Sequence, residues 1–94
     1  MTIEEIIAIP VGTRVTVRVE GPFGNIVPVE ATVVAPMVQY GYVSENGGWG
    51  LYSGHGLMTP SYRLTLRQRG HRRRFAVRTG FDLVDVKLGW EEAQ

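Results

Sequence analysis

Arg63, Arg67, Arg69, Arg72, Arg73, Arg74 and Arg78 fall in a stretch that contains no acidic side chain. That stretch carries +7, whereas residues 1–62 and 79–94 carry −3 each, so the formal net charge of +1 is an average over unlike parts. A guanidinium fork binds phosphate bidentately and displaces counterions, which makes a phosphate-bearing partner the leading chemistry. Gly70-His71 suits a two-residue type II′ turn with glycine first, so the stretch reads as a hairpin. Counting outward from that turn sets Arg69 against Arg72, Gln68 against Arg73, Arg67 against Arg74, Leu66 against Phe75, Thr65 against Ala76, Leu64 against Val77 and Arg63 against Arg78. One face then holds Leu64, Leu66, Phe75 and Val77, and the other holds Arg63, Arg67, Arg69, Arg72, Arg74 and Arg78.

Like charges directly opposite one another destabilise a sheet, so the ribbon needs compensation. One source is an external anion: nucleic acid, whose major groove admits a β-ribbon, or an acidic protein surface. The other source is internal. Asp82 and Asp85 on the following strand, or Glu30, Glu91 and Glu92, are close enough in sequence or pattern to fold back on the arginines. The sequence leaves both open.

A second segment invites a binding reading. Between Gly41 and Gly56 lie six of the 12 glycines, interleaved with Tyr42, Trp49 and Tyr52. Counting from Asn46-Gly47 or Gly47-Gly48 puts Tyr40 and Tyr42 on the face of Trp49 and Leu51. Such a face is either an aromatic platform or part of the core with glycines at the bends. Trp49 and Tyr62 are the candidate stacking residues.

Other chemistry finds no support. There is no cysteine, hence no disulfide, thiolate metal site or thiol nucleophile. Gly54-His55-Gly56 lacks the third glycine of a dinucleotide fingerprint, and no serine sits in a nucleophile elbow. His55 and His71 both fall in turns without a carboxylate cluster, a poor metal site. Glu4-Glu5 and Glu91-Glu92 belong to a cap and a tail. The expectation is a non-enzyme with no catalytic residues, metal or cofactor.

The elements that must position the arginines are short. Thr2-Ile3-Glu4-Glu5 has the spacing of a capping box and predicts a helix ending before Pro10, pinned by Ile3, Ile6 and Ile7. Val15, Val17 and Val19 then alternate with Arg14, Thr16 and Arg18, a half-exposed strand. Gly21–Asn25 opens a loop. Further strands are read at 29–35, 37–43, 49–53, 62–69, 72–78 and 81–88, with 54–60 a loop and 90–94 a tail.

Over roughly the first 35 residues, the glycine-led alternating strand, the long loop and the second valine-rich strand resemble SH3-like small barrels. The resemblance implies an all-β fold: a small antiparallel β-barrel, SH3-like, with a short N-terminal helix. A small two-sheet β-sandwich is the alternative. Residues 1–90 form one domain and 91–94 a C-terminal tail. The acidic N-terminus and the short apolar runs predict a cytoplasmic protein with no membrane partner. The expected function is a binding module that docks its arginine hairpin on an anionic macromolecule, with nucleic acid ahead of an acidic protein surface. The alternative is a protein–protein adaptor, host-factor inhibitor or assembly subunit of the kind compact bacterial or phage genomes carry, with strand edges that allow a homo-oligomer.

Overall fold

The structure is a computed structural model that describes residues 1–44, 48–51 and 58–90. Glu45, Asn46 and Gly47 of the predicted turn lie outside the described residues. So do Tyr52, Ser53, the Gly54-His55-Gly56 segment and the tail Glu91–Gln94.

The capping box forms as read. Thr2 Oγ1 accepts from the Glu5 amide at 3.2 Å, and the Glu5 carboxylate accepts from the Thr2 amide at 3.2 Å, starting helix α1 (Ile3–Ile7). Its anchor differs from the expectation. Ile6 and Ile9 enter the core and Ile3 is half-buried, whereas Ile7 is 40% exposed. One turn of helix presents a single narrow stripe, and Ile9, beyond the helix, supplies the second anchor.

Seven strands follow among the described residues: β1 (Arg14–Glu20), β2 (Ile26–Val33), β3 (Val38–Ser44), β4 (Trp49–Gly50), β5 (Met58–Gln68), β6 (Arg74–Arg78) and β7 (Leu83–Leu88). All belong to one antiparallel sheet, so the two-sheet sandwich is not what forms. The fold is mostly β, and the sheet is not closed. Its order is β4-β3-β5-β2-β1-β7 with β6 added beside β5, and just past β6 an isolated bridge joins Thr79 to Leu83 of β7.

β5 is the organising strand. Along one edge, Leu66–Gln68 pair with Ala31–Val33 of β2, and Met58–Arg63 pair with β3. β2 and β3 thus run as one interrupted strand along β5. The break contains Pro36, which has no amide to donate, and the Val34 amide reaches Thr65 O at 3.1 Å across it. The predicted loop at 54–60 is therefore strand from Met58 onward, because β3 pairs there.

Val15, Val17, Ala31, Val33, Leu64, Leu66, Val77 and Val86 fill the core from alternate positions of five strands. The molecule is elongated, 51 × 29 × 23 Å. β3, β4 and the first half of β5 form an arm whose β3 and β4 side chains are half-buried or exposed and contribute nothing to the buried core cluster. Among the described residues no helix is long and apolar enough to cross a membrane.

Candidate anion-binding face

The hairpin register forms as counted for five pairs: Arg63–Arg78, Leu64–Val77, Thr65–Ala76, Leu66–Phe75 and Arg67–Arg74. Leu64, Leu66 and Val77 are buried on one face, with Phe75 packed against them. The tip departs from the expectation. Pairing with β6 stops at Arg67, while β5 continues to Gln68 on β2, and the Arg69 amide donates to Glu30 O at 2.8 Å. The turn is closed by the His71 amide on Gln68 O at 3.0 Å and is centred on Arg69-Gly70, with Gly70 at φ 79°. Positive φ at the third residue is the type II arrangement, one residue earlier than the predicted II′ turn. Arg72 and Arg73 leave the ladder and are exposed, so two of the predicted opposing pairs do not form. Holding β5 to β2 and parting the like charges favour the same geometry.

The seven arginines fall into two environments. At the root, Arg63 lies over the Tyr40 ring at 4.9 Å and Arg78 over Trp49 at 4.7 Å and Phe81 at 5.0 Å. Tyr40 and Trp49 stack on each other, centroids 5.5 Å apart and tilted by 31°. Asp82 also serves Arg78, with an ion pair at 3.9 Å and a carboxylate oxygen accepting the Arg78 amide. Arg63 Nε and Trp49 Nε1 are buried without a hydrogen-bond acceptor, so the cluster is held by π faces more than by polar matching. Arg69 is engaged as well. It forms an ion pair with Glu30 at 2.7 Å and covers Trp90 at 4.1 Å.

At the tip, Arg67, Arg72, Arg73 and Arg74 are exposed and make no ion pair or ring contact among the described residues. Among the described residues the acids reach only part of the ribbon. Glu30 takes Arg69, Asp82 takes Arg78, and Asp85 turns to the Met1 ammonium at 3.4 Å. The Val86 amide and then that ammonium hold the Asp85 carboxyl below the usual carboxylate range. Glu91 and Glu92 lie outside the described residues.

Two contributors were missed in the sequence. Arg14 lies in the row Arg14–Thr32–Arg67–Arg74, formed by successive cross-strand neighbours on four strands. Only the strand order β1-β2-β5-β6 brings Arg14 there. Trp90, expected in the tail, is docked instead. Its indole donates to Ala31 O at 3.3 Å, and Arg14 lies 4.6 Å from its ring centroid. Arg14, Thr32, Arg67, Arg72, His71 and Trp90 border a cleft of about 350 Å³. A cleft of about 450 Å³ beside the arm, lined by Ile3, Val43, Met58 and Pro60, has no charged wall among the described residues.

The candidate stacking residues are placed differently from the expectation. Trp49 is opposite Val43 and Gly50 is opposite Tyr42, so Tyr42 does not share the Trp49 face. Tyr40 does share it, because the register shifts between Gln39 and Tyr42, where Gly41 has φ 86°. A Cβ on Gly41 would lie 2.6 Å from Gly50 O and 2.7 Å from the Trp49 ring, so only glycine fits beneath the indole. Trp49 is thereby covered by Arg78 and Tyr40. Tyr62 is half-buried, and its backbone is tied to Thr79 at 2.9 and 3.0 Å. The exposed aromatics beside the root arginines are Tyr40, 41% exposed against Arg63, and Phe81, 44% exposed against Arg78.

The fold and face thus describe a small open antiparallel sheet with one basic tip that meets no acid among the described residues. Compared with known proteins, the chain matches no family model, no curated protein and no solved structure.

Proposed function

We propose that the protein is a non-catalytic binding module that docks the tip of its arginine hairpin on an anionic macromolecule, nucleic acid ahead of an acidic protein surface. The observation that carries this reading is the division of the ribbon. Arg63, Arg69 and Arg78 are occupied within the molecule, whereas Arg67, Arg72, Arg73 and Arg74 project at one end without an acidic partner among the described residues. Four exposed guanidinium groups in one patch are unfavourable to each other, and an external anion relieves them.

The strand order β7-β1-β2-β5-β6, with β6 leading by a short link into β7, supports the finer reading of an SH3-like small barrel left open between β6 and β7. In that reading β3 and β4 are an insertion that forms the arm.

The test is a salt titration of nucleic-acid affinity. With four phosphates neutralised, log affinity falls against log salt with a slope of about −2.8 for single strands and about −3.6 for duplex. Replacing Arg72, Arg73 and Arg74 with alanine is expected to remove about three quarters of that slope. No binding at low salt, or an unchanged slope in the triple variant, removes the reading.

A second reading rests on β7, which ends the sheet order and exposes Val84 and Leu88. An assembly subunit that pairs through this edge would be a stable oligomer by light scattering, at salt concentrations that release an electrostatically held partner.

A further inference from the structure

We infer that the nucleic acid this face takes is single-stranded, an inference that rests on the anionic-partner reading above. The first ground is width. The arginine hairpin is not a free two-stranded ribbon, because β5 still carries β2 on its other edge at the level of Arg67 and Arg74, and β1 follows with Arg14. Four strands spaced by ~4.8 Å span about 14 Å between outer backbones, wider than the ~12 Å major groove before any side chain is added. Trp90, docked on Ala31 O, adds bulk to the same row.

The second ground is the path the outer face offers. Thr65 and Ala76 are cross-strand partners on that face, and they lie between the Arg67–Arg74 pair at the tip and the Arg63–Arg78 pair at the root. Their small side chains leave a saddle along the hairpin about 13 Å long, at ~3.3 Å per residue. At its far end the exposed rings are Tyr40, stacked on Trp49 and lying under Arg63, and Phe81, lying under Arg78. At its near end the cleft of about 350 Å³ beside Arg67 and Arg72 has room for one nucleotide-sized group. Guanidinium groups at the tip, a low floor and π faces beyond it match a flexible strand whose bases are free to stack; bases in a duplex already stack on each other.

The experiment compares labelled oligonucleotides of about 12 nucleotides, single-stranded and duplex, by fluorescence anisotropy at matched salt. The single strand is expected to bind about tenfold more tightly. Tyr40→Ala is expected to remove most of that preference while leaving duplex binding unchanged. Ala76→Glu, which sets a carboxylate on the exposed floor, is expected to weaken single-strand binding about tenfold and serves if Tyr40→Ala does not fold. Equal or tighter duplex binding overturns the single-strand inference and leaves the anionic-partner reading standing. Absence of binding to both at low salt overturns both readings. A single-strand preference that survives Ala76→Glu, or survives Tyr40→Ala in a folded protein, overturns the assigned path.

Discussion

The two ends of the β5–β6 hairpin carry the same residue type in opposite circumstances. At the root, Arg63 and Arg78 face each other across the strands and are each laid on an aromatic ring of the neighbouring arm. At the tip, Arg67 and Arg74 face each other in the same way and meet neither ring nor acid among the described residues. The difference lies in what the rest of the sheet brings alongside. β3 and β4 reach the root with Tyr40 and Trp49, while the tip is flanked by β2 and β1, which bring Thr32 and Arg14. An opposed arginine pair is thus a structural device at one end and, among the described residues, an unmatched charge at the other.

The sharpest way to break this comparison is to collapse the root. Gly41→Ala places a Cβ against Gly50 O and the Trp49 ring in a backbone of positive φ. It is expected to cost about 3 kcal/mol in chemical denaturation and to shift Trp49 fluorescence. Next, Arg78→Ala removes two ring contacts and the Asp82 pair and is expected to cost about 1–2 kcal/mol. Arg74→Ala, the same substitution at the tip, is expected to stay within about 0.5 kcal/mol and to lean toward stabilisation, since it relieves a like-charge pair. Equal costs at Arg78 and Arg74 would mean that the two ends are not distinct.

The smallest effect concerns the acids that do not reach the ribbon. Asp85 is held below its ordinary range by the Val86 amide first and the Met1 ammonium next, and Glu5 by the Thr2 amide and hydroxyl. A depressed folded-state value contributes stability above the unfolded carboxylate range of about 4 and loses it as pH falls through the folded value. Stability is therefore expected to be level near neutrality and to decline below about pH 4, with a shallower decline in Asp85→Asn followed by thermal melts.

Much of this architecture is legible along the chain because it depends on near neighbours. The Thr2–Glu5 capping box, the valine alternation of β1 and the parity that sends Leu64, Leu66 and Val77 inward all follow from spacing. The hairpin register holds from Arg63 to Arg67 for the same reason. The tip turn is misjudged because β2 competes with β6 for the end of β5, a contact between residues far apart in sequence. The arm is misjudged at Tyr42, because Trp49 pairs with Val43 in the parity opposite to the one counted from the turn; the register shift at positive-φ Gly41 then returns Tyr40 to the Trp49 face.

The sequence by itself determined that a +7 segment would form a hairpin with one apolar and one arginine face, since alternation and turn chemistry are local. Which arginines are spoken for was decided by tertiary structure alone. Trp90 comes to Arg14 and Arg69, Tyr40 and Trp49 to Arg63 and Arg78, and Glu30 to Arg69, all through strand order. Cation–π and ion-pair contacts act over a few ångströms, and only the folded sheet sets which groups come that close.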